Sequence, residues 1–167
     1  MEKIEALANF LNCSIDDIKE TEYGTFEHNS KEWSVYNDVE LEKAAKANIE
    51  MIFEDCYQDE KDLAEWVDKN GGLYNFINDS VLSDTIYELE NDESFMEDNG
   101  EYFEKLQSDE EIFDYLMDMG YFDCVPVDWY DMDKLVDYVY EADGAISLAG
   151  YDGELYKYDD YTIIRVN

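Results

Sequence analysis

The chain is poor in positive charge. Its 167 residues hold 11 Lys and Arg against 45 Asp and Glu, a formal net charge of −34. That shortage excludes direct nucleic-acid binding, because phosphate contacts need Lys and Arg. An anionic membrane would repel the chain for the same reason. Histidine is down to one residue, His28. It falls in a predicted hairpin turn, which argues against a Cys–His or Ser–His–Asp centre. Cys13, Cys56 and Cys124 are odd in number and make no CxxC pair. They read as small buried or half-buried thiols in a reducing cytoplasm. Proline occurs once, at Pro126, and marks a break. No apolar run approaches the roughly 18 residues of a membrane-spanning helix. The first, Ile4 to Leu11, is short and interrupted by Glu5 and Asn9, so no signal peptide is expected.

Catalytic and cofactor motifs are missing too. There is no GxGxxG, P-loop, HExxH, GxSxG or zinc spacing. Two stretches begin like a calcium loop and fail: Leu135 breaks the run after Asp131 and Asp133, and the run Asp68, Asn70, Gly72 breaks likewise. Neither a cofactor nor a dedicated metal site is expected. A carboxylate-only catalyst stays open as a third reading, but with 45 acids any pair suggests itself.

What the chain has is acid threaded with aromatics. Hydrophobic residues make up 46% and aromatics 16%, with 15 Tyr, which favours a folded domain over a disordered acidic segment. At this length one domain with a real core is expected, 1–167. The charge far exceeds the magnitude of roughly 2–8 that serves a small soluble domain. A halophilic source would explain it, but ten Lys and one Arg with ample Tyr, Ile and Asn look like an AT-rich genome.

The densest stretch is Asp84 to Asp133, with 18 acids against one base, Lys105. If helical, its acids recur about every 4 Å of axis. One strand of B-DNA places a phosphate about every 3.4 Å. Apolar residues run through the same stretch, among them Ile86, Leu89, Phe95, Phe103, Ile112, Phe113 and Leu116. Ser108 to Gly120 is the clearest case. Ser108 with Glu111 forms a capping box, and Gly120 is a stop. At about 100° per residue, Glu110, Glu111, Asp114 and Asp118 fall on one arc. Ile112, Phe113, Leu116, Met117 and Met119 fall on the other. Like charges at i,i+4 each cost a few tenths of a kcal/mol, so the surface needs a reason. A solvated, solubilising face is the plain alternative.

The rest of the chain reads as short elements. Helices are expected over Glu2 to Leu11, Ile15 to Glu20, Asp38 to Tyr57, Leu63 to Asn70, Tyr74 to Asn78, Val81 to Leu89 and Asp128 to Asp143. The Asp38 helix, opened by an Asn37–Glu40 box, carries the strongest apolar period, with Asn48 its one polar member. Strands are expected at Tyr23 to Glu27, Glu32 to Tyr36, Ala145 to Ala149 and Tyr161 to Val166. Residues 91–100 read as a polar loop. The fold class is therefore α+β: a mostly helical acidic body with a small antiparallel sheet from the N- and C-terminal hairpins. Tyr102, Tyr115, Trp129, Tyr130 and Tyr138 are candidates for the edge of the acidic face, where aromatic residues are enriched at interfaces.

Three places resemble an uncharacterised family of small acidic proteins of bacteriophages and related mobile elements. They are the hairpin Phe26 to Tyr36 with Trp33-Ser34-Val35-Tyr36, the helix start Asp38-Val39-Glu40-Leu41-Glu42-Lys43-Ala44, and the tail. The tail is Tyr151-Asp152-Gly153-Glu154 with Tyr161-Thr162-Ile163-Ile164-Arg165-Val166-Asn167. The family lends no functional residue. In charge, size and helicity the chain is similar to the DNA-mimic anti-defence proteins, namely the Ocr and ArdA antirestriction proteins and some anti-CRISPR proteins.

The expectation is a non-enzymatic inhibitor in the host bacterial cytoplasm. Glu88, Glu90, Asp92, Glu93, Glu97, Asp98, Glu101, Glu104, Glu110, Glu111, Asp114 and Asp118 would stand in for phosphates. The partner would be a basic nucleic-acid-binding protein such as a host defence nuclease, and self-association into a homodimer is compatible with this. The rival is an acidic adaptor that binds through its sheet and aromatics, with Trp33 or Trp129 essential and the charge serving solubility alone.

Overall fold

The computed structural model describes residues 1–57 and 59–167. Among the described residues the fold is α+β, with seven α-helices and one five-stranded antiparallel sheet. The chain forms two compact units, Met1–Phe53 with Val136–Asn167, and Glu54–Leu135.

The first unit is built on the sheet. Its strands are β1 (Lys19–Glu20), β2 (Phe26–His28), β3 (Lys31–Tyr36), β4 (Tyr156–Tyr158) and β5 (Tyr161–Arg165), in the order β1-β2-β3-β5-β4. The two terminal hairpins meet at β3 and β5, in the register Trp33↔Arg165 through Tyr36↔Thr162. Each hairpin closes on a two-residue turn. Asn29 and Ser30 both take positive φ (51° and 60°), the geometry that matches strand twist.

Side chains alternate across the sheet. Trp33, Val35, Phe26 and Ile163 pack with Leu7 and Ala8 of α1 (Lys3–Leu11). Ile164, from the other face, packs with Leu41 and Ala45 of α2 (Asp38–Cys56). Two covered faces explain why Ile163 and Ile164 are both buried although adjacent. The polar member of the α2 stripe, Asn48, donates its side-chain N–H to the Ser147 carbonyl at 3.1 Å. Lys46 reaches Glu42 and Asp137, both at 2.8 Å, and those two carboxylates raise its pKa.

The strand expected at Ala145 to Ala149 is instead a 3-10 turn, Ile146–Leu148, and β4 lies further on. Apolar residues at 145, 146, 148 and 149 have the three- and four-residue spacing of a helical turn, not alternation. The helix expected at Ile15 to Glu20 is one 3-10 turn, Ile15–Asp17, capped by Ser14.

The second unit is helical. It comprises α3 (Glu60–Asn70), α4 (Asp79–Glu90), α5 (Glu93–Phe103), α6 (Asp109–Asp118) and 3-10 turns at Leu73–Phe76 and Val127–Trp129. It also holds the start of α7 (Met132–Asp143). Leu89, Phe103 and Leu116 are its buried centre on the acidic side, packed by Ile86, Phe95, Met96, Leu106, Ile112 and Tyr115. Leu116 is fully buried, and this cluster ties α4, α5 and α6 together.

Residues 91–100, expected as a loop, hold most of α5. Asp92 is the reason. Its carboxylate accepts from the backbone N–H of Ser94 and Phe95 at 2.9 and 3.0 Å and so starts a helix. Phe95, Asn99 and Phe103 then repeat at four-residue spacing. Gly100 lies against Met96, and an added Cβ there would meet the Met96 methyl at 3.2 Å.

Lys134 locks the other side of the unit. Its ammonium donates to the Ile77 carbonyl at 2.9 Å and to both Asp79 oxygens at 3.2 Å. Backbone bonds from Asn78 to Trp129 and from Asp131 to Phe76, both 2.8 Å, run beside it.

Candidate partner-binding surface

Charge is unevenly shared between the units. Glu54–Leu135 holds 26 acids and four bases, leaving 19 acids and seven bases for the remainder. The second unit is therefore at −22 and the first at −12.

All twelve carboxylate residues singled out in the sequence are exposed. Glu88 and Glu90 end α4. Asp92 caps α5, Glu93, Glu97, Asp98 and Glu101 lie along it, and Glu104 is its last cap. Glu110, Glu111, Asp114 and Asp118 lie on α6. On α5, Glu93, Glu97, Glu101 and Glu104 span an arc of about 80°, and the four acids of α6 span about 100°. Asp98 falls off the α5 stripe.

Local sequence sets these helices. Ser108 Oγ accepts from the Glu111 N–H at 3.2 Å, as expected of a cap. The second half of the predicted box is displaced. The Glu111 carboxylate accepts from Gln107 N–H at 2.6 Å, one residue earlier than Ser108. Gly120 takes φ +72°, and Tyr121 N–H returns to the Leu116 carbonyl at 2.9 Å, which stops α6. Phe113 and Leu116 are buried as expected, but Met119 is 40% exposed because it falls past the last turn of α6.

Asn99 joins the two acidic helices. Its amide N–H returns to the Phe95 carbonyl at 3.1 Å, and its oxygen accepts from the Tyr115 hydroxyl at 3.0 Å. The stripes on α5 and α6 are thus held by a buried cluster and a side-chain bridge.

Three of the twelve carboxylates have internal work. Asp92 caps α5, Glu111 caps the approach to α6, and Glu101 pairs with Lys105 at 3.3 Å. The other nine carry no ion pair among the described residues.

Two shallow depressions flank α6. One, of about 380 Å³, brings Glu111, Asp114 and Asp118 together with Tyr102, Lys105, Leu106 and Tyr115. The other gathers Glu110 and Asp114 with Asp68, Tyr74 and Met117. The Tyr74 phenol is pushed above its ordinary pKa, first by burial and then by the charges of Asp109, Glu110 and Asp79. The acidic field is therefore felt at an aromatic group beside α6.

The aromatic candidates divide. Tyr102 is 58% exposed, Tyr138 is exposed and Tyr115 half-buried. Trp129 and Tyr130 are buried and do not reach the surface. Trp129 packs edge-on to Phe122 at 5.0 Å, so it fills the interior. Exposed Tyr87, at 68%, was not singled out, although its position among Glu88 and Glu90 on α4 is the signal that could have marked it.

His28 ends β2, with Nδ1 3.2 Å from the Asp17 carbonyl and Nε2 2.7 Å from the Asn29 amide. Cys13 and Cys124 are half-buried thiols, and burial raises both pKa values. Cys56 is exposed, against expectation: it keeps the phase of the apolar stripe but is the last residue of α2. Among the described residues, no three His, Cys, Asp or Glu side chains gather in a way that could hold a metal ion. No helix among them is long and apolar enough to cross a membrane.

Comparison with protein-family models, with curated proteins and with solved structures finds no match to the chain.

Proposed function

We propose that the protein is a nucleic-acid mimic. It occupies the DNA- or RNA-binding groove of a bacterial defence enzyme, or of another nucleic-acid-binding protein, in the cytoplasm of the host. The observation that supports this most is the mounting of the acids on three helices packed on one buried cluster. A buried cluster of Leu89, Phe103 and Leu116 holds three helices whose twelve named carboxylates are all exposed.

The mechanism is competition. Each carboxylate takes the place of a phosphate at a Lys or Arg of the target. A preformed surface loses little conformational entropy on binding. Long-range attraction to a basic groove speeds encounter and makes it sensitive to salt. No bond is made or broken, so no catalytic group is required.

The adaptor reading has less behind it. Trp33 and Trp129, its proposed contacts, are both buried, so replacing them tests folding and not binding.

Competition in a mobility-shift assay tests the proposal. Candidate defence nucleases are bound to labelled DNA or RNA and titrated with the protein at rising salt. Displacement that weakens as salt rises is expected. Undiminished nucleic-acid binding by every candidate at low salt refutes it.

A further inference from the structure

The groove between the end of α5 and α6 has a floor as well as charge. Tyr102 and Tyr115 lie with ring centroids 5.0 Å apart and planes at 35°. Leu106 completes the apolar lining. The Tyr115 ring is pinned by its hydroxyl bond to Asn99, and Tyr102 exposes more than half its surface. Along one wall stand Glu111, Asp114 and Asp118, one helical turn apart. Lys105, the single base of the whole acidic stretch, lines the same groove. Its ammonium pairs with Glu101 on α5, and Asp114 and Asp118 carry no ion pair among the described residues.

An exposed aromatic face beside unpaired carboxylates suits one kind of cation. A guanidinium is flat and weakly hydrated, stacks on a ring and can fork to a carboxylate. An ammonium is a compact, strongly hydrated point charge that gains less from a ring face. Carboxylates alone already favour arginine through the fork, and the ring face adds to that preference.

We infer that this groove is an anchor for an arginine side chain of the partner. The guanidinium stacks on Tyr102 and pairs with Asp114 or Asp118. The inference rests on the reading of this surface as a phosphate mimic, and it names the target residue type that the surface selects. The partner is therefore a protein whose nucleic-acid groove presents a protruding arginine.

The test uses two peptides, nona-arginine and nona-lysine, titrated into the intact protein by calorimetry at 0.15 M salt. The arginine peptide is expected to bind tighter, with roughly two- to fivefold of that preference the gain of one cation–π contact. Tyr102→Leu should remove the ring's share of the preference, while Tyr102→Phe, which keeps the ring, should retain it. Circular dichroism and thermal melts confirm that each variant is folded. Equal affinities in the wild type overturn the inference and leave mimicry standing. A preference undiminished by Tyr102→Leu also overturns it. Failure of both peptides to bind removes the mimicry reading and this one with it.

Discussion

Replacing Asp114 by Asn should make the protein more stable and, under the proposed mimicry, a weaker competitor at once. Asp114 sits at the middle of the α6 stripe. Glu110 and Asp118 lie four residues away on either side, and Glu111 lies three away. Each like-charge pair at this spacing opposes the helix by about 0.2–0.5 kcal/mol. Three such pairs sum to about 1 kcal/mol, and Asn has much the same helix propensity as Asp. For a chain of this size the gain corresponds to a melting point about 2–4 °C higher. The effect should be full at 10 mM salt, where the screening length is about 30 Å, and gone at 1 M, where it is about 3 Å. Differential scanning fluorimetry at the two salts measures it. Competition against a target's nucleic acid should weaken by roughly two- to fivefold, the worth of one exposed ion pair. A carboxylate that served the fold would shift both readings downward. A D114N melting point at or below wild type in 10 mM salt would refute the reasoning.

Other substitutions separate the scaffold from the display. Leu116→Ala empties the centre of the α4–α6 cluster and should destabilise by about 2–5 kcal/mol in urea titrations; under the proposed mimicry, loss of competition should track loss of helix signal. Lys134→Ala removes the ammonium that holds the Ile77 carbonyl and Asp79, and should lower stability by about 1–3 kcal/mol by the same titration. The Glu40 carboxyl is held below its usual pKa by the Lys3 ammonium at 2.8 Å and by the Asn37 N–H. Its contribution is thus complete above the ordinary Glu value of about 4.3 and is lost as pH falls through the lower folded value. The stability advantage of wild type over E40Q should therefore shrink below about pH 4.3, and an advantage constant from pH 7 to 3 would contradict the pairing.

Much of the fold was legible because side-chain chemistry and period agreed. Ser108, Gly120 and the Phe113–Leu116 spacing all point to the same helix, and it forms within two residues of where they place it. The pairing of the terminal hairpins followed from two short β-branched and aromatic runs. Residues 91–100 misled because Asn, Asp and Gly dominate them. Their order was the signal: Asp92 at the cap and Phe95 and Phe103 inward outweigh a composition that reads as a loop. Ala145 to Ala149 misled because five apolar-rich residues fit either a strand or one helical turn. The boundaries at Phe53 and Leu135 fall inside α2 and α7, where no linker composition marks them. Exposure of the four α6 acids follows from helical period; for Asp92, Glu93, Glu97 and Asp98, in the stretch that reads as a loop, it follows from charge alone. The groove does not, because Tyr102 and Asp118 meet only through the packing of α5 on α6.

The division between a tight buried cluster and nine unpaired acids has an evolutionary corollary. No individual outward acid is indispensable, since each contributes little and neighbours can substitute for it. Under the proposed mimicry, a host that changes a single residue in its own groove therefore gains little resistance. Relatives of this chain are expected to drift freely on the outside, trading Asp for Glu and shifting positions along each helix. Leu89, Phe103 and Leu116 should stay in step, because with the Asn99–Tyr115 bridge they keep the outer pattern in shape.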